Sequence, residues 1–180
     1  MEFQLSREAF LRVLNHVSSI VDSRSTISIL SNIYLKCENN QIEIRSTDMD
    51  ISIKEFVSAD SSKNGEATVN SRILTDIIRK TKKNTIIKVK NEGNRLIINS
   101  ENSVFELNAL SADEFPKFTP LDQANSFELT VEQIKKIFTK TKFAISSEET
   151  RYYLNGIYLH TVKNGEKNNL IAVATDGHRL

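Results

Sequence analysis

The residues Ala174-Thr175-Asp176-Gly177-His178-Arg179-Leu180 put a carboxylate, an imidazole and a guanidinium within four positions. An Asp two residues from a His is raw material for acid–base chemistry, and serines are abundant. Acyl transfer asks for more, namely a nucleophile, a base and an orienting acid converging beside oxyanion donors. No nucleophile elbow and no Gly-rich phosphate loop occurs in the chain. A hydrolase using His178 and Asp176 is therefore the weaker reading. The plainer one makes Asp176-Gly177 a tight turn, with Asp bonding its own backbone and Gly at positive φ. The three histidines (His16, His160, His178) have no ligand-like spacing with the single cysteine, Cys37. Neither a metal nor a cofactor is expected. One thiol cannot make an internal disulfide, which suits a reducing cytoplasm.

The cations offer a second chemistry. Net charge is only +1, but residues 71–83 carry Arg72, Arg79, Lys80, Lys82 and Lys83 against Asp76 alone. Residues 130–143 carry Lys135, Lys136, Lys140 and Lys142 against Glu132. At 100° per residue Arg72, Arg79 and Lys83 fall opposite the apolar side of one helix, and Lys135, Lys136, Lys140 and Lys142 lie around the face away from Ile134 and Phe138 on another. One such stripe is an ordinary solvated face. Two, on related segments, point to a polyanion held through its phosphates and without regard to sequence, since no base-reading motif accompanies them. Arg24, in the polar stretch 21–28, and Arg151-Tyr152-Tyr153 add a cation and flat aromatic surfaces at corresponding places. Adjacent tyrosines before a strand are equally well read as half-buried packing.

These residues need elements to hold them. Phe10, Val13, Leu14 and Val17 have helical spacing behind a Ser6 cap. Three alternating runs follow, "SNIYLKC", "QIEIRS" and "DISIKEFV". A second helix over 71–83 presents Ile73, Leu74, Ile77 and Ile78, and "TIIKVK", "RLIINS" and "SVFELNAL" come after it. Residues 1–110 thus read as strand–helix–three strands, twice. "SADEFPKFTPLDQANS" holds both prolines and reads as a link. The unit then begins again, with Thr130 and Gln133 as a capping-box pair and Val131, Ile134, Ile137 and Phe138 as the apolar face. Offset by 124 residues, "LSNIYL" (30–35) faces "LNGIYL" (154–159), and "STD" (46–48) aligns with "ATD" (174–176). The second copy stops four residues after its Asp, so the expectation is a piece of a longer repeat protein. Hydrophobic residues at 39% and charged ones at 26% describe a globular α+β chain, and no apolar run approaches a membrane span.

"RYYLNG" followed some twenty residues later by "ATDGHRL" resembles the bacterial sliding clamps, the beta subunits of DNA polymerase III. "SNIYL", "STDMDISI", "NSR" and "ADEFPKF" extend the likeness along the whole chain. The resemblance implies a DNA clamp fold, with helices on one face of antiparallel sheets and lining the hole of a head-to-tail homodimeric ring. It implies a non-catalytic, cytoplasmic processivity factor that encircles double-stranded DNA without sequence preference. Residues 1–120 would be clamp domain 1 and 126–180 the first part of domain 2, with domain 3 absent and the 180 residues alone monomeric. Arg24, Arg72, Tyr152 and Tyr153 match DNA-contacting positions. Leu154, Thr175, Gly177, His178, Arg179 and Leu180 match a cleft for short hydrophobic peptides of the replicative polymerase and the clamp loader. Phe105 and Leu107 match the subunit interface. "STISIL" lacks prolines common there in the family, and Glu148 replaces a neutral polar contact. The remaining alternative is a repeat-built interaction module with no role on DNA.

Overall fold

Two helices lie antiparallel in the first part of the chain, each hiding an apolar face that it could not hide alone. The computed structural model describes residues 1–21, 27–101, 103–117, 127–165 and 167–180, in two compact units, Met1–Thr119 and Pro120–Leu180. In the first unit, strand β1 (Glu2–Ser6) leads into helix α1 (Arg7–Val17). The Ser6 hydroxyl accepts from the Ala9 N–H at 3.3 Å, satisfying one orphan donor of the first turn. Strands β2 (Asn32–Glu38), β3 (Gln41–Thr47) and β4 (Ser52–Ser58) form a meander. After β5 (Asp60–Lys63), the pattern restarts with β6 (Gly65–Asn70), helix α2 (Ser71–Lys80), β7 (Ile86–Glu92), β8 (Arg95–Ser100) and β9 (Ser103–Leu110). The Asn70 side chain caps α2 by accepting from the Ile73 N–H at 3.0 Å.

The halves are joined by exchange. β1 pairs antiparallel with β7 of the second half, and β6 pairs with β2 of the first. The strand order is β4-β3-β2-β6-β9-β8-β7-β1-β5. α1 packs on β3 and β4, α2 on β2 and β6, and the helices on each other. Phe10, Val13, Leu14 and Val17 meet Leu74 and Ile78 in a core that also takes Ile33, Leu35, Ile42, Ile44, Ile87, Leu96 and Ile98. Polar contacts set the helix register. Buried Arg7 donates from Nε to the Ile78 carbonyl at 3.1 Å and from Nη2 to the Arg79 carbonyl at 2.7 Å. A guanidinium thus occupies the negative end of the α2 dipole, where the last carbonyls lack partners. At the other end Ser18 Oγ lies 2.8 Å from Ser71 Oγ and 3.0 Å from Thr75 Oγ1.

Three expectations change here. α2 stops at Lys80, because Thr81 turns extended (φ −68°, ψ 154°) while its N–H still bonds the Ile77 carbonyl. Lys82 and Lys83 therefore lie beyond the helix, and Lys82 pairs with Glu101 at 3.4 Å. Ile73 is exposed, since the Leu74–Ile78 and Ser71–Thr75 rows face the core and rotate the Ile73 row to the rim. β5, sequence "DSSK", has no apolar alternation to announce it and exists by pairing with β1.

In the second unit the predicted capping box forms. The Gln133 N–H donates to Thr130 Oγ1 at 3.2 Å and the Thr130 N–H to Gln133 Oε1 at 2.8 Å, starting helix α3 (Val131–Thr141). Strands β10 (Tyr158–Asn164) and β11 (Lys167–Val173) make a hairpin. The expected apolar face of α3 is present but not covered, with Val131 67%, Ile134 40% and Phe138 53% exposed. It borders an open groove of about 1130 Å³ with Phe127, Ile157 and Leu159. Among the described residues this unit sets one helix against one hairpin, whereas α1 and α2 cover one another. No described helix is long and apolar enough to cross a membrane.

Removing the buried guanidinium tests the helix pairing. Arg7→Ala removes both bonds, although the Ile78 carbonyl keeps the Thr81 hydroxyl at 2.7 Å, and should destabilise the first unit by about 1–3 kcal/mol in urea unfolding. Arg12→Ala, on an exposed position of the same helix, should stay within about 0.5 kcal/mol of the parent.

Candidate nucleic-acid interface and docking turn

Several cations on the helices have no ion-pair partner among the described residues. Arg72 and Lys80 on α2, and Lys135, Lys136 and Lys140 on α3, are exposed and make no ion pair among the described residues. Arg72 also stands in the first turn of α2, where a cation opposes the helix dipole, so helix stability does not account for it. The strands differ. Lys36 pairs with Glu38 at 2.7 Å, Lys90 with Glu92 at 2.5 Å and Arg95 with Glu106 at 3.1 Å, and Arg45 pairs with Glu43. Within the expected α2 stripe, Arg79 is occupied by Asp76 at 2.8 Å and Asn15 at 3.2 Å. Lys136 and Lys140 border a groove with Ile137 rather than standing wholly opposite the apolar face. Arg24 lies outside the described residues.

Tyr152 and Tyr153 do not pack into a core. They are 79% and 72% exposed, with rings edge-to-face at a centroid distance of 5.9 Å. They sit in a run of 3₁₀ turns, Glu149–Leu154, broken at Arg151 (φ −114°, ψ 47°). The segment is closed by the Ser146 N–H on the Leu154 carbonyl at 3.1 Å. Glu148 forms an ion pair with Arg151 at 3.1 Å, so its carboxylate is neutralised beside the tyrosines.

The Thr175–Arg179 segment is a turn built on two side chains. Thr175 Oγ1 donates to the Arg179 carbonyl at 2.6 Å and accepts from the Gly177 N–H at 3.0 Å. Asp176 Oδ1 accepts from the His178 and Arg179 N–H groups at 2.9 and 3.1 Å, and Oδ2 accepts from Arg179 Nε at 2.8 Å. Asp176 therefore bonds the backbone of His178, and both its oxygens are taken, so the pair is not arranged as a catalytic dyad. Gly177 has φ +88°, and a Cβ there would meet the Arg151 guanidinium at 3.1 Å. That contact places the turn beside the 148–154 segment. Arg179 lies over the Phe143 ring at 5.8 Å. Leu154 is half-buried, His178 and Leu180 are exposed, and the large groove under α3 includes neither Leu154 nor the turn.

The same turn occurs in the first unit, at the aligned "STD". Thr47 Oγ1 donates to the Ile51 carbonyl at 2.9 Å and accepts from the Met49 N–H at 3.0 Å. Asp48 Oδ1 accepts from the Asp50 and Ile51 N–H groups at 3.0 and 2.7 Å. The repeat offset contained this correspondence, but the bonds that define it needed coordinates. For the subunit edge, Phe105 is partly buried and Leu107 lies in the core at 7% exposure. Alternation along β9 turns Leu107 inward, and residues 103–108 pair only with β8, β6 joining at 109–110. Leu107 is thus mostly buried within this chain, on the same strand face as Phe105.

A fold of two exchanged half-repeats, with unpaired cations on its helices, defines a class of repeat-built binding proteins. Residues 1–119 match the N-terminal domain of the DNA polymerase III beta subunit, and residues 128–180 match its central domain. The chain belongs to that family. The Beta sliding clamp of Caulobacter vibrioides is 39% identical over 182 residues, covering 100% of this chain and 49% of the relative. That of Pseudomonas aeruginosa is 34% identical over 181 residues, covering 100% and 48%. Among solved structures, the Caulobacter crescentus pol III beta superposes with a TM-score of 0.92 at 39% identity, over 99% of this chain and 48% of that one. A DnaN sliding clamp from Bartonella birtlesii, bound to griselimycin, gives 0.94 at 36%, over 99% and 48%. The fold is α+β and that of the sliding clamps. The chain spans about half the length of the curated relatives it matches.

The Asp176 carboxyl is held below its ordinary pKa of 3.8, first by the His178 N–H and then by the Arg179 N–H and guanidinium, against a smaller opposing effect of burial. A depressed folded-state pKa means the turn's carboxylate bonds persist above 3.8 and are lost only as pH falls through the lower folded value. In an NMR acid titration, the His178 and Arg179 amides should move with a midpoint below 3.8. A midpoint at or above it would contradict the turn.

Proposed function

We propose that the protein acts as a DNA sliding clamp, a non-catalytic factor that surrounds duplex DNA and tethers a polymerase to it. The observation that carries this is the set of exposed helix cations, Arg72, Lys80, Lys135, Lys136 and Lys140, that make no ion pair among the described residues, whereas Lys36, Arg45, Lys90 and Arg95 on the strands are paired. In this reading residues 1–120 form the first clamp domain and 126–180 the opening part of the second. Arg24, Arg72, Tyr152 and Tyr153 touch the DNA backbone, and their small number is a requirement. Enclosure retains the duplex, so phosphate contacts need only centre it and must break as it slides. Phe105 and Leu107 meet the neighbouring subunit.

The partner site in this reading is the wall made by Leu154, Thr175, Gly177, His178, Arg179 and Leu180. Gly177 leaves room beside the Arg151 guanidinium, Leu154 and Leu180 supply apolar contact, and His178 and Arg179 orient a peptide from the replicative polymerase or clamp loader.

Two measurements test the reading. Duplex binding by this chain should be weak and steeply salt-dependent. Arg72→Glu should weaken it equally on unrelated sequences and flatten the log–log salt slope by roughly one. Tight, sequence-selective binding at physiological salt would contradict the proposal. Leu154→Ala should reduce capture of a hydrophobic polymerase peptide about tenfold, leaving duplex binding unchanged.

A further inference from the structure

The paired turns differ at one place that costs the first of them stability. Position three of each has positive φ, +88° at Gly177 and +84° at Met49. Glycine adopts this conformation freely, whereas a side chain with a Cβ is strained there. The turn's hydrogen bonds, one of them to the Met49 N–H, hold this conformation, and side-chain packing adds little because Met49 is 63% exposed. Ile51, two residues on, is 55% exposed. The turn's hydrogen bonds hold both apolar side chains at the surface on a fixed backbone. Strain of this kind gathers at ligand clamps, and flexible, polarizable Met recurs on surfaces that accept varied apolar partners.

We propose that the Thr47–Ile51 turn is a second docking site, for a short segment of a partner protein in which an apolar anchor stands beside Lys or Arg. Charge selects this occupant. The 175–179 turn carries His178 and an Asp176–Arg179 ion pair at 2.8 Å, whereas the 47–51 turn carries Asp48 and Asp50 and no cation, with Asp50 exposed and in no ion pair among the described residues. The two turns thus offer one backbone framework, acidic at 47–51 and near neutral at 175–179, and segregate peptides by the residues flanking their anchors. The proposal rests on reading the 175–179 turn as a peptide-binding wall.

The test is an NMR titration of the ¹⁵N-labelled chain with two synthetic hexapeptides. Each has a central Leu-Phe, flanked on both sides by two lysines in one and two glutamates in the other. The lysine peptide should shift the amides of residues 48–52 saturably, and bind there at least about fivefold tighter than the glutamate peptide. Met49→Gly should weaken that binding about tenfold while leaving the melting midpoint unchanged or raised. Asp50→Lys should reverse the preference between the peptides. Shifts confined to residues 154 and 175–180 would overturn this site and leave the cleft reading intact. Shifts at neither turn would overturn both. Equal binding of the two peptides would refute the charged occupant, and a lowered midpoint in Met49→Gly would show that Met49 serves the fold.

Discussion

An amphipathic helix on a three-stranded meander has one apolar face and too little sheet to hide it. In the first unit that constraint is met by exchange, with β1 crossing to β7, β6 crossing to β2, and α1 and α2 covering each other. The buried Arg7 at one end and the Ser18, Ser71 and Thr75 hydroxyls at the other fix how the helices register. Once those inner faces are committed, the outer faces are committed too. Arg72 and Lys80 point to solvent because Leu74 and Ile78 cannot.

The functional chemistry follows from what the packing leaves unneutralised. Cross-strand and near-neighbour acids cancel much of the positive charge on the sheets, and few acids do so on the helices. In the proposed reading that charge suits a uniform polyanion, held without shape-specific contacts. The turns differ, since Thr and Asp side chains there replace backbone pairing and fix a few residues in place.

Much of this was legible in the sequence because it depends on periodicity. Helical spacing from Phe10 to Val17, the Ser6 and Thr130 caps and the alternating strands each follow from local rules, and the structure agrees. What failed depends on neighbours. Ile73 has core character but lies on the rim, and β5 has no pattern of its own. Lys83 lies outside its expected helix because Thr81 ends α2 early. The aligned "STD" and "ATD" showed that the turns correspond, yet Met49 at positive φ was invisible, since nothing in its type suggests that conformation.

The central claim is that the helix faces, and not the sheets, meet DNA. A residue-by-residue amide perturbation map on adding a short duplex addresses it directly. The account predicts changes at the first turn of α2, at residues 148–153 and around Lys135, identical for two duplexes of unrelated sequence. Perturbations centred on strand residues such as Lys88, Lys90 and Arg95, or on the Asp176–His178 turn, would contradict it.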